Sequence, residues 1–233
     1  MADDILPGLI PIAPPEPLAR PERQRARSGL TVAALAFAGF LGLFLTVKAR
    51  RSEPIDAAIT LRLQARRHRW LARLMEACSW PGFPPQSRVI PPLIMSGLWL
   101  SGHRTEAGFQ GLAWGTAGVS EVLKSVMRRE RPLPEQVRVV VAPLGGSSFP
   151  SGHVLTYMGT YGFAAYLAHT LVRPPLVRWP LVMALLAMLA GVGPSRIYQG
   201  HHWPTDVAAS YLLGISYLFV LEAAYRRLRA PLP

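Results

Sequence analysis

The chain has 233 residues, half of them hydrophobic, and the apolar residues gather in continuous runs instead of alternating with polar ones. The formal net charge is +12, but the basic residues are scattered between the apolar runs, which argues against the single basic stripe of a nucleic-acid-binding protein. The lone cysteine, Cys78, excludes an intramolecular disulfide, and the absence of asparagine excludes N-glycosylation.

The N-terminal part of the chain divides into a polar tail and a first apolar run. Residues 1–27 combine prolines and arginines without hydrophobic periodicity, so they are predicted to form a disordered basic tail. The run Ser28–Val47 has 20 residues without a formal charge. That length can cross the hydrocarbon core of a bilayer, roughly 30 Å thick. Since no small-residue cleavage site is evident, we expect an uncleaved first transmembrane helix.

Residues 52–78 differ in character from the run that precedes them. Apolar side chains recur near helical spacing, and arginines fill much of the remainder. This pattern is typical of a basic amphipathic helix, which can lie in the headgroup layer or pack on the bundle as a solvated helix. The predicted fold takes it as an interfacial helix that follows the first span and ends at the proline cluster of residues 81–85.

Five further apolar runs follow, at Val89–Gly102, Ala107–Ser120, Val154–Val172, Trp179–Pro194 and Val207–Leu221. Together with the first run they predict an all-α polytopic membrane protein, a six-transmembrane-helix bundle in one domain over residues 28–229. Six crossings bring the ends of runs three and five and the starts of runs four and six to the same membrane face. This consequence of helix parity holds whichever side is cytoplasmic.

Three polar stretches therefore meet on one face, at residues 124–131, 150–153 and 195–206. They contain side-chain cations and a helix start with unpaired N–H groups, which suit a substrate with several negative oxygens. The candidate phosphate-binding residues are Lys124, Arg131, Ser151, Gly152 and Arg196.

Two histidines from different loops can supply covalent and acid chemistry at this face. His202 and Asp206 are four residues apart, one helical turn, so the carboxylate can hold the imidazole in one tautomer and raise its nucleophilicity. His153 can protonate a departing oxygen. His201 lies off this spacing and is interpreted as a neighbour that packs or forms a hydrogen bond.

The order and spacing of these residues resemble the phosphatidic acid phosphatase type 2 / haloperoxidase superfamily. The motifs cover residues 124–206, and the six-run layout extends the resemblance over almost the whole chain. They are Lys124 followed by six residues and Arg131-Pro132, then Pro150-Ser151-Gly152-His153, then Ser195-Arg196 with His202 and Asp206.

The resemblance implies a membrane lipid phosphate phosphatase that uses no metal and no cofactor. By it, His202 would form a phosphohistidine, Asp206 would orient it, and His153 would be the general acid. The substrate would be undecaprenyl diphosphate, phosphatidate or phosphatidylglycerol phosphate. The resemblance also implies a multi-pass protein of a bacterial inner membrane with its site facing the periplasm, although the basic residues are more numerous on that side than the positive-inside rule expects.

Other functions stay open on the sequence alone. A phosphotransferase could pass the phosphoryl group from His202 to another alcohol instead of water. A metal-binding membrane protein could use His153, His201, His202 and Asp206, but three neighbouring basic residues would repel the cation. A transporter without covalent chemistry is a further class. The vanadium haloperoxidases share the constellation, but those relatives are soluble and larger, so six apolar runs argue against them.

Overall fold

The structure is a computed structural model that describes residues 20–140 and 145–229, with side chains from residue 28 onward. These ranges form nine α-helices and one short 3₁₀ helix, Trp80–Gly82, so the predicted all-α class is confirmed for them. The α-helices are α1 (Arg20–Lys48), α2 (Glu53–Gln64), α3 (Arg69–Ser79), α4 (Gln86–Leu100), α5 (Arg104–Trp114), α6 (Thr116–Met127), α7 (Gly152–Leu171), α8 (Pro175–Tyr198) and α9 (Pro204–Arg229).

Three helices in the described ranges are long and apolar enough to cross a membrane: the Ser28–Lys48 part of α1, α8 and α9. The other predicted runs lie in α4, in α5 together with α6, and in α7. Helix α7 has 20 residues, but threonine, tyrosine and histidine interrupt its apolar sequence, and most of its side chains are buried against other helices. It is a core helix whose burial comes from protein neighbours.

The run predicted as one helix over Ala107–Ser120 is divided at Gly115 into α5 and α6. At this break the buried Thr116 hydroxyl donates a hydrogen bond of 2.9 Å to the Ala113 carbonyl oxygen. Helix α7 passes so close that a Cβ atom on Gly159 would lie 2.1 Å from that same oxygen. Hydropathy does not reveal the break, because residues 113–117 carry no charge.

The segment 52–78, predicted as one helix, forms two helices, α2 and α3, with an interruption at residues 65–68. Helix α2 turns a polar stripe inward: Asp56, Thr60 and Gln64, spaced by four residues, are all buried, whereas Ile55 is exposed. The inward stripe is stabilised by hydrogen bonds to distant chain segments. The apolar periodicity in the sequence therefore marks the exposed face of α2, and its polar residues form the buried face.

Helix α1 begins at Arg20, so the last residues of the predicted disordered tail are helical, and residues 1–19 of that tail lie outside the described residues. α1 packs along α9 for much of its length. Phe40 of α1 stacks on Phe149, which precedes α7, with ring centroids 6.2 Å apart. This contact ties the first apolar helix to the start of the central one.

Helix α7 lies at the centre of the bundle and packs against α5, α6, α8 and α9. One core cluster joins Val154 and Tyr157 of α7 to Val192 of α8 and Val207 of α9. Because α7 begins and α8 ends at the same end of this cluster, the start of α7, the end of α8 and the start of α9 share one end of the bundle.

Candidate active site

His202 lies in the short loop between α8 and α9 and is almost fully buried. Its Nδ1 is 2.7 Å from the Ser148 carbonyl oxygen, which can only accept, so Nδ1 carries the proton and donates. The lone pair therefore resides on Nε2, which is 3.4 Å from Nη1 of Arg131. Burial, followed by the nearby charges of Arg196 and Arg131, holds the pKa of His202 well below its usual value, so the ring is neutral at neutral pH.

Asp206 is fully buried in the first turn of α9, but it makes no direct hydrogen bond to His202. Its Oδ2 is 3.8 Å from His202 Nδ1, too far for a hydrogen bond, and accepts instead from the Trp203 backbone N–H at 2.9 Å. The expected pairing of ring and carboxylate is thus an electrostatic contact, and the tautomer of His202 is set by the Ser148 carbonyl. Sequence spacing could not reveal a backbone acceptor 54 residues away.

Arg129 binds Asp206 directly and was not among the predicted site residues. Its Nη1 donates to Asp206 Oδ1 and, at 2.8 Å, to the Thr205 hydroxyl. Its Nη2 donates to Asp56 Oδ2 of α2 at 2.6 Å. The only sequence signal for Arg129 was its membership in the charged run 124–131. For Asp56 there was none, since it precedes Asp206 by 150 residues.

Arg131 and Lys124 stand on the α6 side of the site. Backbone carbonyl oxygens hold the Arg131 guanidinium, with Nη1 donating to His201 at 2.8 Å and Nη2 to Ser147 at 3.2 Å. Burial lowers the pKa of Arg131, and the charges of Asp206 and then Glu121 oppose the shift. Lys124 forms an ion pair with Glu121 at 2.6 Å.

Arg196 is the largest fully buried side chain in the described ranges. Its Nη1 donates to Gln199 Oε1 at 2.9 Å and to Ser79 Oγ at 3.3 Å, and its guanidinium carbon lies 4.9 Å from the centre of the Phe83 ring. Nε and Nη2 have no hydrogen-bond partner among the described residues. A buried guanidinium with two unpaired donors is a strong candidate for binding an anionic oxygen.

The start of α7 carries the next predicted residues, Ser151 and Gly152. The Ser151 hydroxyl is buried and has no partner in the described part of the chain. A Cβ atom on Gly152 would lie 3.2 Å from Lys124 Nζ, which brings the α6 cation to the start of α7. The Ser151 backbone N–H donates to Ser210 Oγ at 2.8 Å, so Ser210 of α9, which sequence reasoning gave no site role, fixes the geometry of this turn.

His153 lies beneath the turn that connects α3 to α4. The Phe83 ring meets the His153 imidazole edge to face at 4.7 Å. A Cβ atom on Gly82 would lie 2.3 Å from His153 Cδ2 and 2.9 Å from Nε2, so the glycine backbone rests on the imidazole. His153 Nε2 is buried and lacks a partner within the described residues. The sequence showed Gly82 and Phe83 only as part of a helix-ending cluster.

His201 also belongs to the buried cluster. Both ring nitrogens lack partners in the described ranges, and the Phe83 ring approaches at 6.4 Å. Burial lowers the pKa of His201 to about 3, with smaller contributions from the charges of Arg196, His202 and Arg131. The structure therefore brings His201 to the site, where spacing alone had set it aside.

All eight predicted site residues lie around this one end of the bundle, and the chain is similar to known proteins over this region and beyond it. The family model described as "PAP2 superfamily" matches residues 108–229. The chain is 32% identical over 130 residues to undecaprenyl-diphosphatase BcrC of Bacillus subtilis (strain 168), an alignment that covers 53% of this chain and 61% of that relative.

Two further comparisons extend over most of the chain. Phosphatidylglycerophosphatase B of Bacillus subtilis (strain 168) is 28% identical over 198 residues, covering 80% of this chain and 91% of the relative. A crystal structure described as the first transmembrane PAP2 type phosphatidylglycerolphosphate phosphatase from Bacillus subtilis superposes with a TM-score of 0.74 at 24% identity. It covers 84% of this chain and 96% of that chain, so the two share a fold.

Proposed function

Because the chain belongs to the PAP2 superfamily, we propose that it is a membrane lipid phosphatase that acts through a phosphohistidine on His202. Its substrate is a phosphomonoester or diphosphate of a membrane lipid. Undecaprenyl diphosphate and phosphatidylglycerophosphate head the candidates, because relatives are named for hydrolysing them. Phosphatidate ends in a phosphomonoester, as phosphatidylglycerophosphate does, and is the third lipid to be tested.

One observation carries this proposal: the hydrogen bond from His202 Nδ1–H to the Ser148 carbonyl oxygen. It places the nucleophilic lone pair on Nε2, which accepts a long hydrogen bond of 3.4 Å from Arg131 Nη1 that an incoming phosphoryl group can replace. Arg196 and Ser151 supply buried, unpaired donors for the phosphoryl oxygens. A neutral imidazole beside these groups is what nucleophilic attack on phosphorus requires.

The proposed reaction has two steps. His202 Nε2 attacks phosphorus, a P–N bond forms, and the bond from phosphorus to the leaving oxygen breaks. Protonated His153 gives its proton to that oxygen. In the second step His153 takes a proton from water as the water oxygen attacks phosphorus, and the P–N bond breaks to release phosphate. Asp206 stabilises the positive charge on the His202 ring in between.

We propose a six-span arrangement around this site, in which α4, the α5–α6 pair and α7 cross the membrane together with α1, α8 and α9. Helix α3 then lies at the interface, since Trp70 and Leu74 are exposed on it beside arginines. The site faces the periplasm in this arrangement. Cysteine substitution at Trp70, followed by labelling with a membrane-impermeant maleimide in intact cells, tests the orientation once Cys78 has been replaced by serine.

The experiment that tests the function is phosphate release by the purified full-length protein in detergent from the three lipids. We expect turnover of at least one of them, and no turnover by His202→Ala. The matched control is His68→Ala, since His68 is an exposed histidine outside the three motifs. Acid-labile phosphate trapped on the wild type and absent from His202→Ala supports the intermediate. Absence of release from every lipid contradicts the proposal, and transfer to added alcohols in place of release indicates the phosphotransferase.

A further inference from the structure

Arg129 lies between two buried carboxylates that come from opposite ends of the chain. Its guanidinium donates to Asp206 of α9 and, at 2.6 Å, to Asp56 of α2. The side chain of Arg129 is 11% exposed, and those of Asp56 and Asp206 are 1% and 0% exposed. Ser52 Oγ accepts a further hydrogen bond from Arg129 at 3.1 Å. Helix α2 therefore reaches Asp206 through one arginine.

Asp56 also binds the first turn of α9 without the arginine. Its Oδ1 accepts the Thr205 backbone N–H at 2.9 Å, and its Oδ2 accepts the Thr205 hydroxyl at 2.8 Å. A carboxylate at the first N–H groups of a helix satisfies unpaired donors and interacts favourably with the helix dipole. Since Asp206 belongs to the same turn, Asp56 fixes where the Asp206 carboxylate lies relative to His202.

The charges of this network explain why a second carboxylate accompanies Arg129. Arg129 with Asp206 alone would be a neutral pair, and the arginine would offset the field of Asp206 at His202. With Asp56 the network carries a net charge of −1. The charges that lower the pKa of His202 are those of Arg196, Arg131 and Lys124, and Glu121 pairs with Lys124 at 2.6 Å.

We propose that Asp56 and Arg129 are positioning residues for the phosphatase reaction, which keep Asp206 in place and keep the network negative beside the His202 ring. The inference rests on the proposed function, because it concerns the ring once phosphorus is bound to Nε2. In that state the ring is formally positive, and a carboxylate 3.8 Å from Nδ1 stabilises it. Neither Asp56 nor Arg129 touches the phosphoryl group in this scheme.

Vanadate and phosphate separate this role from a merely structural one. In the proposed mechanism vanadate is a transition-state analogue that bonds to Nε2 and makes the ring positive, whereas bound phosphate leaves the ring neutral. Asp56→Asn keeps the shape of the side chain and removes its charge. We expect it to weaken inhibition by vanadate about tenfold, the effect of roughly one pKa unit, and to change inhibition by phosphate less than about threefold. The control is Glu53→Gln, which removes a charge from an exposed position on the same turn of α2.

The double variant Asp56→Asn/Arg129→Gln tests the charge balance directly. It returns the network to a net charge of −1, so we expect vanadate inhibition to recover to within about threefold of the wild type, a strong coupling between the two sites. It also remains informative if Asp56→Asn alone does not fold, because the two introduced amides are neutral and can bond to each other and to the Asp206 carboxylate, which carries the remaining charge. The kcat of Asp56→Asn should fall about 10- to 100-fold, the range known for residues that orient a functional side chain.

Each outcome has a defined meaning. Weaker vanadate inhibition in Asp56→Asn with unchanged phosphate inhibition, reversed in the double variant, supports the proposal. Equal weakening of both inhibitors would show a structural role only and would overturn it, as would a vanadate constant equal to that of Glu53→Gln. A double variant no better than Asp56→Asn overturns the charge argument. Failure of the wild type to release phosphate from any lipid would count against the phosphatase itself, which is a separate result.

Discussion

Substitution of Gly82 by alanine is expected to displace His153, the candidate general acid, while leaving its imidazole chemically unchanged. The new Cβ atom would lie 2.3 Å from His153 Cδ2, about 1 Å inside an ordinary van der Waals contact. The turn cannot easily retreat, because Ser79 at its base shares a hydrogen bond of 2.7 Å with Ser195 of α8. The imidazole must therefore move by about 1 Å, and a displacement of that size at a reacting group costs about 100-fold in rate, or roughly 2.7 kcal/mol of activation free energy.

The assay compares two leaving groups. An alkyl phosphate needs a proton on the departing oxygen, whereas p-nitrophenolate does not, so Gly82→Ala should slow the alkyl substrate about 100-fold and p-nitrophenyl phosphate much less. Gly97→Ala is the matched control, since a Cβ atom there meets no atom within 4 Å. In a background of His153→Ala the imidazole is gone, so the Gly82 substitution should add little further loss.

Any of three results would contradict this role of Gly82. An alkyl rate within about threefold of wild type would mean that the turn yields and the contact is soft. Equal losses on the two substrates would mean that the displaced group does not act as the acid. Full additivity with His153→Ala would mean that Gly82 acts through something other than the imidazole beneath it.

Three more expectations concern the site as a whole. Arg196→Lys should lower kcat/KM at least about 100-fold, because one ammonium cannot replace a buried guanidinium that donates to Gln199 and has two further donors. A loss below about fivefold would mean that Arg196 acts only through its positive charge. Activity should survive excess EDTA, and loss that added Mg²⁺ or Zn²⁺ restores would contradict the mechanism. Thermal stability in detergent should fall as the pH drops below about 6.5 toward about 3, because His201 binds a proton in the unfolded chain but stays neutral when buried in the folded one. The His201→Gln variant should lose less stability than the wild type between pH 7.5 and 5. An identical loss would contradict the assignment to His201.

The sequence by itself determined which residue types are available to the candidate site. Lys124, Arg131, Ser151 and His202 are polar groups at the ends of apolar runs, where a buried charge is costly unless it has a function. Six predicted crossings placed these residues on one face by helix parity, and the structure brings them to one end of the bundle. Residue type and spacing were sufficient for this step, because both are properties of the chain alone.

Only the tertiary structure decided how those groups are held. The tautomer of His202 depends on the Ser148 carbonyl, and the position of Asp206 depends on Arg129 and Asp56. These partners are backbone atoms or residues far apart along the chain, and neither type and spacing nor hydropathy records which distant groups will touch. The polar stripe on α2 shows the same limit, since Gln64 is buried by its bonds to the Arg138 and Tyr198 carbonyls.

The sequence also could not predict where two chain segments pack closely against each other. Gly159 lets α7 meet the break between α5 and α6, and Gly82 rests on the His153 ring. A glycine in sequence predicts a turn or a flexible point, but whether another chain segment comes within van der Waals contact of its Cα is a property of the packed bundle. Composition and periodicity describe each helix alone, whereas the partner of each polar atom exists only after the helices have met.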